Sequence, residues 1–386
     1  MARAFPSGNT AFLVIHGIGE QRPFETLDSF AINLVKHLRH SYEPFAVEHK
    51  ITERTGGGGA AWTESYVRLK PKAGGGVIDV HEYYWAYITE EKITVPEVWE
   101  WVRKTLDATK RFYGRNQELQ KRYEDRRKTG RFPLATVSWL LGFASFIFPI
   151  AQLVQFVATP VLPVLPKWLQ SAWQWILKKI GWVIVGYIGD VAIYTTTDVK
   201  SKHYRFRQQI LKECQALLDG ILRNDGYDRV VIAGHSLGSV VSYDTLNRIN
   251  IKANLPSGAT LPLNKLAGLI TFGSPLDKIA FFFREHTKAH EYVRRQIRSH
   301  LNSFKARALD LQPNDEVLAN PITPKLDDLP WVNYYSMRDP VSGHLDFYKI
   351  DPKDNVVLDL PERWGVAHVG YWTHEPFYND IAQRFL

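Results

Sequence analysis

Ser236 stands between two glycines in Gly234-His235-Ser236-Leu237-Gly238. The apolar run Arg229-Val230-Val231-Ile232-Ala233 precedes it, and Ser239-Val240-Val241-Ser242-Tyr243 continues in a helical pattern. The spacing reads as strand, sharp turn and helix. Flanking glycines let strand and helix pass close together and leave the serine hydroxyl exposed at the turn, with a helix N-terminus beside any oxyanion that forms there. A serine so placed is a nucleophile once a neutral imidazole within hydrogen-bond reach takes its proton. A carboxylate on the far side of that imidazole fixes the tautomer and stabilises the imidazolium. Downstream carboxylates include Asp277 in the turn after Leu266–Pro275, Asp339 at the end of Trp331–Pro340, and Asp346. The histidines beyond Asp339 are His344, His368 and His374.

A second motif lies near the N-terminus. Ala11-Phe12-Leu13-Val14-Ile15 is a continuous apolar run suited to a buried parallel strand, and it ends in His16-Gly17-Ile18-Gly19. With this HG turn and the serine elbow together, the chain resembles the α/β-hydrolase superfamily on its lipase and esterase side. The resemblance covers residues 9–88 and 200–386 and leaves out the middle.

The resemblance implies an α/β fold, a mostly parallel sheet flanked by helices, and a chain order of serine, acid, histidine. Ser236 is then the nucleophile. Asp339 is the acid, because in the family the acid follows the later strand. Asp277 is held in reserve, as some lipases carry the acid after the earlier strand, and Asp346 is third. His344 follows Asp339 too closely for the chain to return from another strand. His368 lies in the loop behind Asn355-Val356-Val357-Leu358-Asp359-Leu360 and precedes an aromatic pair, which makes it the expected base, with His374 as the alternative. The backbone N–H groups of Ile18 and Leu237 are the expected oxyanion donors. His16 and His235 shape their turns rather than move protons.

Composition bounds the rest. The chain has 386 residues, 45% of them hydrophobic, and carries a net charge of +8. A hydrolase body uses about 250 to 280 residues, which leaves over a hundred for an insertion. The single cysteine excludes an internal disulfide and fits a reducing compartment. The first apolar run is too short for a signal-peptide core, so no secretion is expected and the body is placed in the cytoplasm. No CxxC, HExxH, Walker or GxGxxG pattern occurs, and neither a metal nor a cofactor is expected.

Between Phe132 and Pro166 there is no charged residue, a length exceeding the roughly 20 apolar residues that span a bilayer. Pro149, Pro160, Pro163 and Pro166 interrupt it, and a shorter apolar piece runs from Ile180 to Gly189. Five of the twelve tryptophans fall between Trp139 and Trp182, as where rings sit at a membrane interface. Upstream, Arg103 to Arg131 is helical in pattern and basic, with Lys104, Lys110, Arg111, Arg115, Lys121, Arg122, Arg126, Arg127 and Lys128. A basic helix beside an uncharged stretch fits contact with anionic headgroups. Residues 132–189 are therefore expected to meet a membrane surface or bilayer, or to form a hydrophobic cap. Nucleic acid is not an expected partner, since no matching fold motif is present.

The resulting organisation has three parts. Residues 1–88 form the N-terminal part of the core and residues 89–199 a helical insertion. Residues 200–386 complete the core with the elbow, the acid, the histidine and a closing helix over Pro376 to Leu386. The expected activity is cleavage of carboxylic esters, of lipids in particular, through an acyl-serine. A thioesterase or acyltransferase on the same triad, or a membrane-bound scaffold without turnover, are the alternatives.

Overall fold

The computed structural model describes residues 3–17, 22–55, 61–89, 202–258, 260–277, 290–307, 315–339, 341–361 and 367–386. Ile18 and residues 90–199, with the basic segment, the uncharged run and the expected membrane contact, lie outside them. The chain divides into two units: Met1–Gly17, Gln21–Ile88 and Gln208–Leu386 in one, Ile18–Glu20 and Thr89–Arg207 in the other. The sheet and the candidate site belong to the first. Among the described residues no helix is long and apolar enough to cross a membrane.

The strands are β1 (Thr10–Ile15), β2 (Phe45–Thr55), β3 (Ala61–Pro71), β4 (Ile78–Tyr83), β5 (Arg229–His235), β6 (Leu266–Phe272), β7 (Trp331–Tyr335) and β8 (Asn355–Val357). They form one sheet in the order β2-β3-β4-β1-β5-β6-β7-β8. From β4 to β8 every pairing is parallel, and β3 runs antiparallel to both its neighbours. The helices are α1 (Glu25–Ser41), α2 (Ala86–Thr89), α3 (Lys202–Leu222), α4 (Leu237–Lys252), α5 (Tyr292–His300), α6 (Ala367–Gly370) and α7 (Glu375–Phe385). This is an α/β fold.

All six residues of β1 are buried, which is why it is apolar without a break from Ala11 to Ile15 rather than alternating. On one face Phe12, Val14, Val231, Ala233, Ile270, Phe272 and Tyr334 join Phe30 and Leu34 of α1 and Phe377, Ile381 and Phe385 of α7 in a single core. The other face meets α3, where the Tyr83 hydroxyl donates to the Ile210 carbonyl at 2.8 Å, and α4, whose Tyr243 ring lies 5.7 Å from that of Trp331. Residues 237 to 247 of α4 are all buried. Cys214 of α3 is fully buried too, and burial pushes its thiol up to about 12.

The start of α1 is held from the sheet. Its flanking residue Phe24 has a φ of 70° and supplies no side-chain cap. The Glu82 carboxylate at the end of β4 accepts instead from the N–H groups of Phe24, Thr26 and Leu27 at 2.7, 3.1 and 3.3 Å. Those donors have no partner inside the helix, so the carboxylate both satisfies them and complements the helix dipole.

Candidate active site

Parallel register brings the two glycine motifs to one edge. β1 and β5 are neighbours with Ile15 opposite Gly234, so His16-Gly17 and His235-Ser236 emerge side by side at the carboxyl ends of their strands. Across the same edge His235 is opposite Phe272, and Phe272 is opposite Tyr334. Open parallel sheets bind their ligands at this edge. A Cβ on Gly238 would fall 2.3 Å from the Ile15 carbonyl oxygen and one on Gly234 would fall 2.4 Å from the Gly238 oxygen, so glycine alone lets α4 start against the strands. Ser236 itself has φ 52° and ψ −125°, a costly backbone for a residue with a side chain.

The structure brings Ser236, His368 and Asp339 together. His368 Nε2 lies 2.9 Å from Ser236 Oγ, and His368 Nδ1 lies 2.9 Å from Asp339 Oδ2. The expected exposure of the serine is not found: Ser236 is only 3% exposed. Gly17 packs so closely that a Cβ there would come within 2.7 Å of the Ser236 Cβ, and His368 covers the hydroxyl. His368 also sits on the single turn α6, not in a loop, and β8 ends at Val357, three residues short of the expected strand.

Asp339 is fully buried. Burial pushes its carboxyl up, but the hydrogen bond and charge of His368, the Val341 N–H and the Tyr371 hydroxyl outweigh this and hold it well below the usual carboxylate range. The Val341 N–H reaches Oδ1 at 2.8 Å, and the Tyr371 hydroxyl reaches the same Oδ2 as His368 at 2.9 Å. The Tyr371 oxygen in turn lies 2.9 Å from Ser342 Oγ. A carboxylate held by three donors stays ionised and fixed in plane. Tyr371 is a site residue that the sequence reading missed. Only its place next to the aromatic-flanked histidine marks it.

The two motif histidines are kept neutral. Burial drives His16 down to about 4 and His235 down to about 3. His16 Nε2 accepts the Trp85 N–H at 2.9 Å, which leaves Nδ1 to donate to the Gly17 carbonyl at 2.7 Å. The Trp85 indole stacks on the imidazole at 4.9 Å and donates to the His16 carbonyl. His16 therefore sets the orientation of the HG turn.

The other candidates are placed apart from the triad contacts. Asp277 accepts the N–H groups of Asp346 and Phe347 at 2.7 and 3.1 Å, tying down the segment after β7. Asp346 Oδ1 lies 3.5 Å from His344 Nδ1. His374 precedes α7, where its carbonyl accepts the Phe377 N–H at 3.1 Å. Leu237 is the first residue of α4, so its N–H is one of the amides without an intrahelical partner. Ile18, the second expected donor, lies outside the described residues. Among the described residues no group of three or more His, Cys, Asp or Glu is arranged to hold a metal ion.

Comparison of the chain with protein-family models, with curated proteins and with solved structures finds no match.

Proposed function

We propose that the protein is a membrane-associated serine ester hydrolase of the α/β-hydrolase superfamily, of lipase or esterase type, acting on lipid esters through an acyl-serine. The observation that carries this reading is the unbroken contact line from Ser236 Oγ through the His368 imidazole to Asp339, at 2.9 Å for each step. The chain order of serine after β5, acid after β7 and histidine after β8 supports it, as does the HG turn between β1 and α1. The lipid and membrane parts rest on the uncharged run from Phe132 to Pro166.

Each residue has a defined task in this mechanism. His368 Nε2 takes the proton of Ser236 Oγ as that oxygen attacks the ester carbonyl. Asp339 keeps the other ring proton on Nδ1 and stabilises the imidazolium. The N–H of Leu237 faces the developing oxyanion at the start of α4, where the helix dipole adds to it, and Ile18 supplies the second donor. Collapse returns the proton from Nε2 to the leaving alcohol. Water then repeats the cycle on the acyl-serine with the same base.

The test is labelling with a fluorophosphonate, which reports an activated serine without knowledge of the substrate. Stoichiometric labelling of the full-length chain that disappears in Ser236→Ala, together with turnover of short-chain or lipid esters, supports the proposal. Labelling that persists unchanged in Ser236→Ala rules it out.

A further inference from the structure

Strand β2 closes one side of the sheet, and among the described residues no strand pairs with its outer edge. Such an edge templates pairing with another chain, and folded proteins blunt it by shortness, proline, bulges or unmatched charge. β2 carries little of this protection. It runs for 11 residues without proline, and its register is unbroken from Phe45 opposite Pro71 to Thr55 opposite Ala61. On one face Val47 and Ile51 stand 45% and 64% exposed, with the exposed His49 between them. Glu48 and Lys50 point to the other face, since side chains alternate along a strand.

These five residues are complementary to themselves. Residues directly opposite in an antiparallel pair share a face of the sheet and interact across it. When two copies of β2 run antiparallel about a two-fold axis at His49, each Glu48 stands opposite Lys50 of the second copy, and each Val47 opposite Ile51. Symmetry makes both pairs twice, as an isologous contact requires. An axis at Glu48 would instead set two carboxylates face to face, and one at Lys50 two ammonium groups.

The same register continues rows that the sheet already builds. On one face Asp79, Arg68 and Glu48 are successive opposite neighbours across β4, β3 and β2, alternating in sign, and Lys50 of the second copy is the next member. Arg68 already holds Asp79 through two bonds of 2.8 Å. On the other face Ile78, Leu69 and Val47 form an apolar row, which Ile51 of the second copy extends. In the single chain Lys50 reaches Glu48 along its own strand at 2.8 Å, with both side chains partly exposed. A solvated pair of this kind holds its members weakly, so Lys50 exchanges one Glu48 for the other at little cost.

We propose that a second copy of this chain docks on β2, antiparallel and centred on His49, so that the two sheets run on as one. The inference rests on β2 alone and stands whether or not Ser236 is a nucleophile.

Sedimentation equilibrium of the full-length protein, in detergent where extraction needs it, is expected to show a reversible dimer. Lys50→Glu sets like charges opposite each other and Ile51→Lys sets a charge against Val47, so each should raise the dissociation constant about tenfold or more. Adding Glu48→Lys to Lys50→Glu exchanges the signs and should restore the dimer. Val357→Lys, an exposed change on β8 at the opposite edge, should leave it unaltered. Under mild oxidation His49→Cys should join two copies by a disulfide, because opposite residues have Cα atoms about 4.5–5.5 Å apart. Glu53→Cys, whose two copies would lie roughly 27 Å apart, should not. The native Cys214 is buried and does not compete. A protein that stays monomeric at every concentration overturns the proposal. So does a dimer that Lys50→Glu and Ile51→Lys leave intact, since association through residues 132–189 is indifferent to both, or one that the charge exchange fails to restore in a folded variant.

Discussion

The Nε2–H of His235 donates to the main-chain carbonyl of His368 at 2.9 Å, so the residue just before the nucleophile holds the residue that faces it. The two rings lie 4.9 Å apart, and the Trp372 ring closes on His235 at 5.1 Å. A Cβ on Gly273, whose φ is +61°, would come within 3.1 Å of the His235 ring and 3.2 Å of the His368 ring, so the turn after β6 also confines both.

His235→Leu leaves a buried carbonyl without its donor, a loss of about 1–3 kcal/mol. Where that loss falls on the placement of His368, kcat for a short-chain ester should drop about ten- to a hundredfold with little change in KM. His235→Asn, which keeps a donor, should recover part of it. Steady-state kinetics on both variants check this, and equal losses in the two would remove the positioning role.

Among the acids and bases, Asp339→Asn should lower kcat by about four orders of magnitude, as expected where the acid fixes the tautomer. His368→Ala should cost at least as much. Asp277→Asn should act on stability through the Asp346 and Phe347 amides it holds, and His374→Ala should have a minor effect on rate. Measured kcat in the four variants, each with its unfolding midpoint, tests the ranking. A larger rate loss in Asp277→Asn than in Asp339→Asn would move the acid.

Acid should destabilise the body before it reaches the carboxylates. His16 and His235 are held at about 4 and about 3 when folded, while an exposed imidazole sits near 6.5. Below pH 6.5 the unfolded chain thus binds more protons than the folded one. The stability these two imidazoles contribute is complete above that pH and is lost as pH falls. Each slope approaches about 1.4 kcal/mol per pH unit near pH 5. The urea midpoint should decline between pH 7.5 and 5, and His16→Gln should flatten the decline. A midpoint constant over that range would refute the assignment.

Replacing residues 132–189 with a short polar linker should release the protein from membranes, since a basic helix alone binds reversibly and weakly in salt. Hydrolysis of a soluble short-chain ester should survive this change better than hydrolysis of bilayer lipid, because Ser236, Asp339 and His368 all lie outside the deleted stretch. Fractionation and detergent extraction of both forms provide the check. A full-length chain that is soluble and monomeric without detergent contradicts the membrane part of the proposal.

Strands buried on both faces were legible as unbroken apolar runs, and β1, β5, β6 and β7 follow them. The outer strand β2 was not. Its Val47 and Ile51 are exposed, so no buried face imprints a pattern on Val47-Glu48-His49-Lys50-Ile51. At the site, Ser236 announces itself through glycines that sterics demand. Tyr371 reaches Asp339 from 32 positions away and His235 reaches His368 from 133, and spacing along the chain carries no trace of such contacts. Glu82 likewise caps α1 from another strand, more than fifty residues off, where the local sequence offers no capping side chain.

The buried thiol of Cys214 makes the molecule its own gauge of opening. It is the single cysteine of the chain, and a thiol shifted to about 12 and shut off from solvent is inert toward alkylating reagents. Whatever alkylation is seen in native buffer must come from molecules in which α3 has lifted from the sheet, so the alkylation rate measures the free energy of that motion without a probe being added. A cysteine introduced on the surface, as in Lys353→Cys, would react at once while Cys214 waits. The ratio of the two rates then times the breathing of the fold against an internal clock.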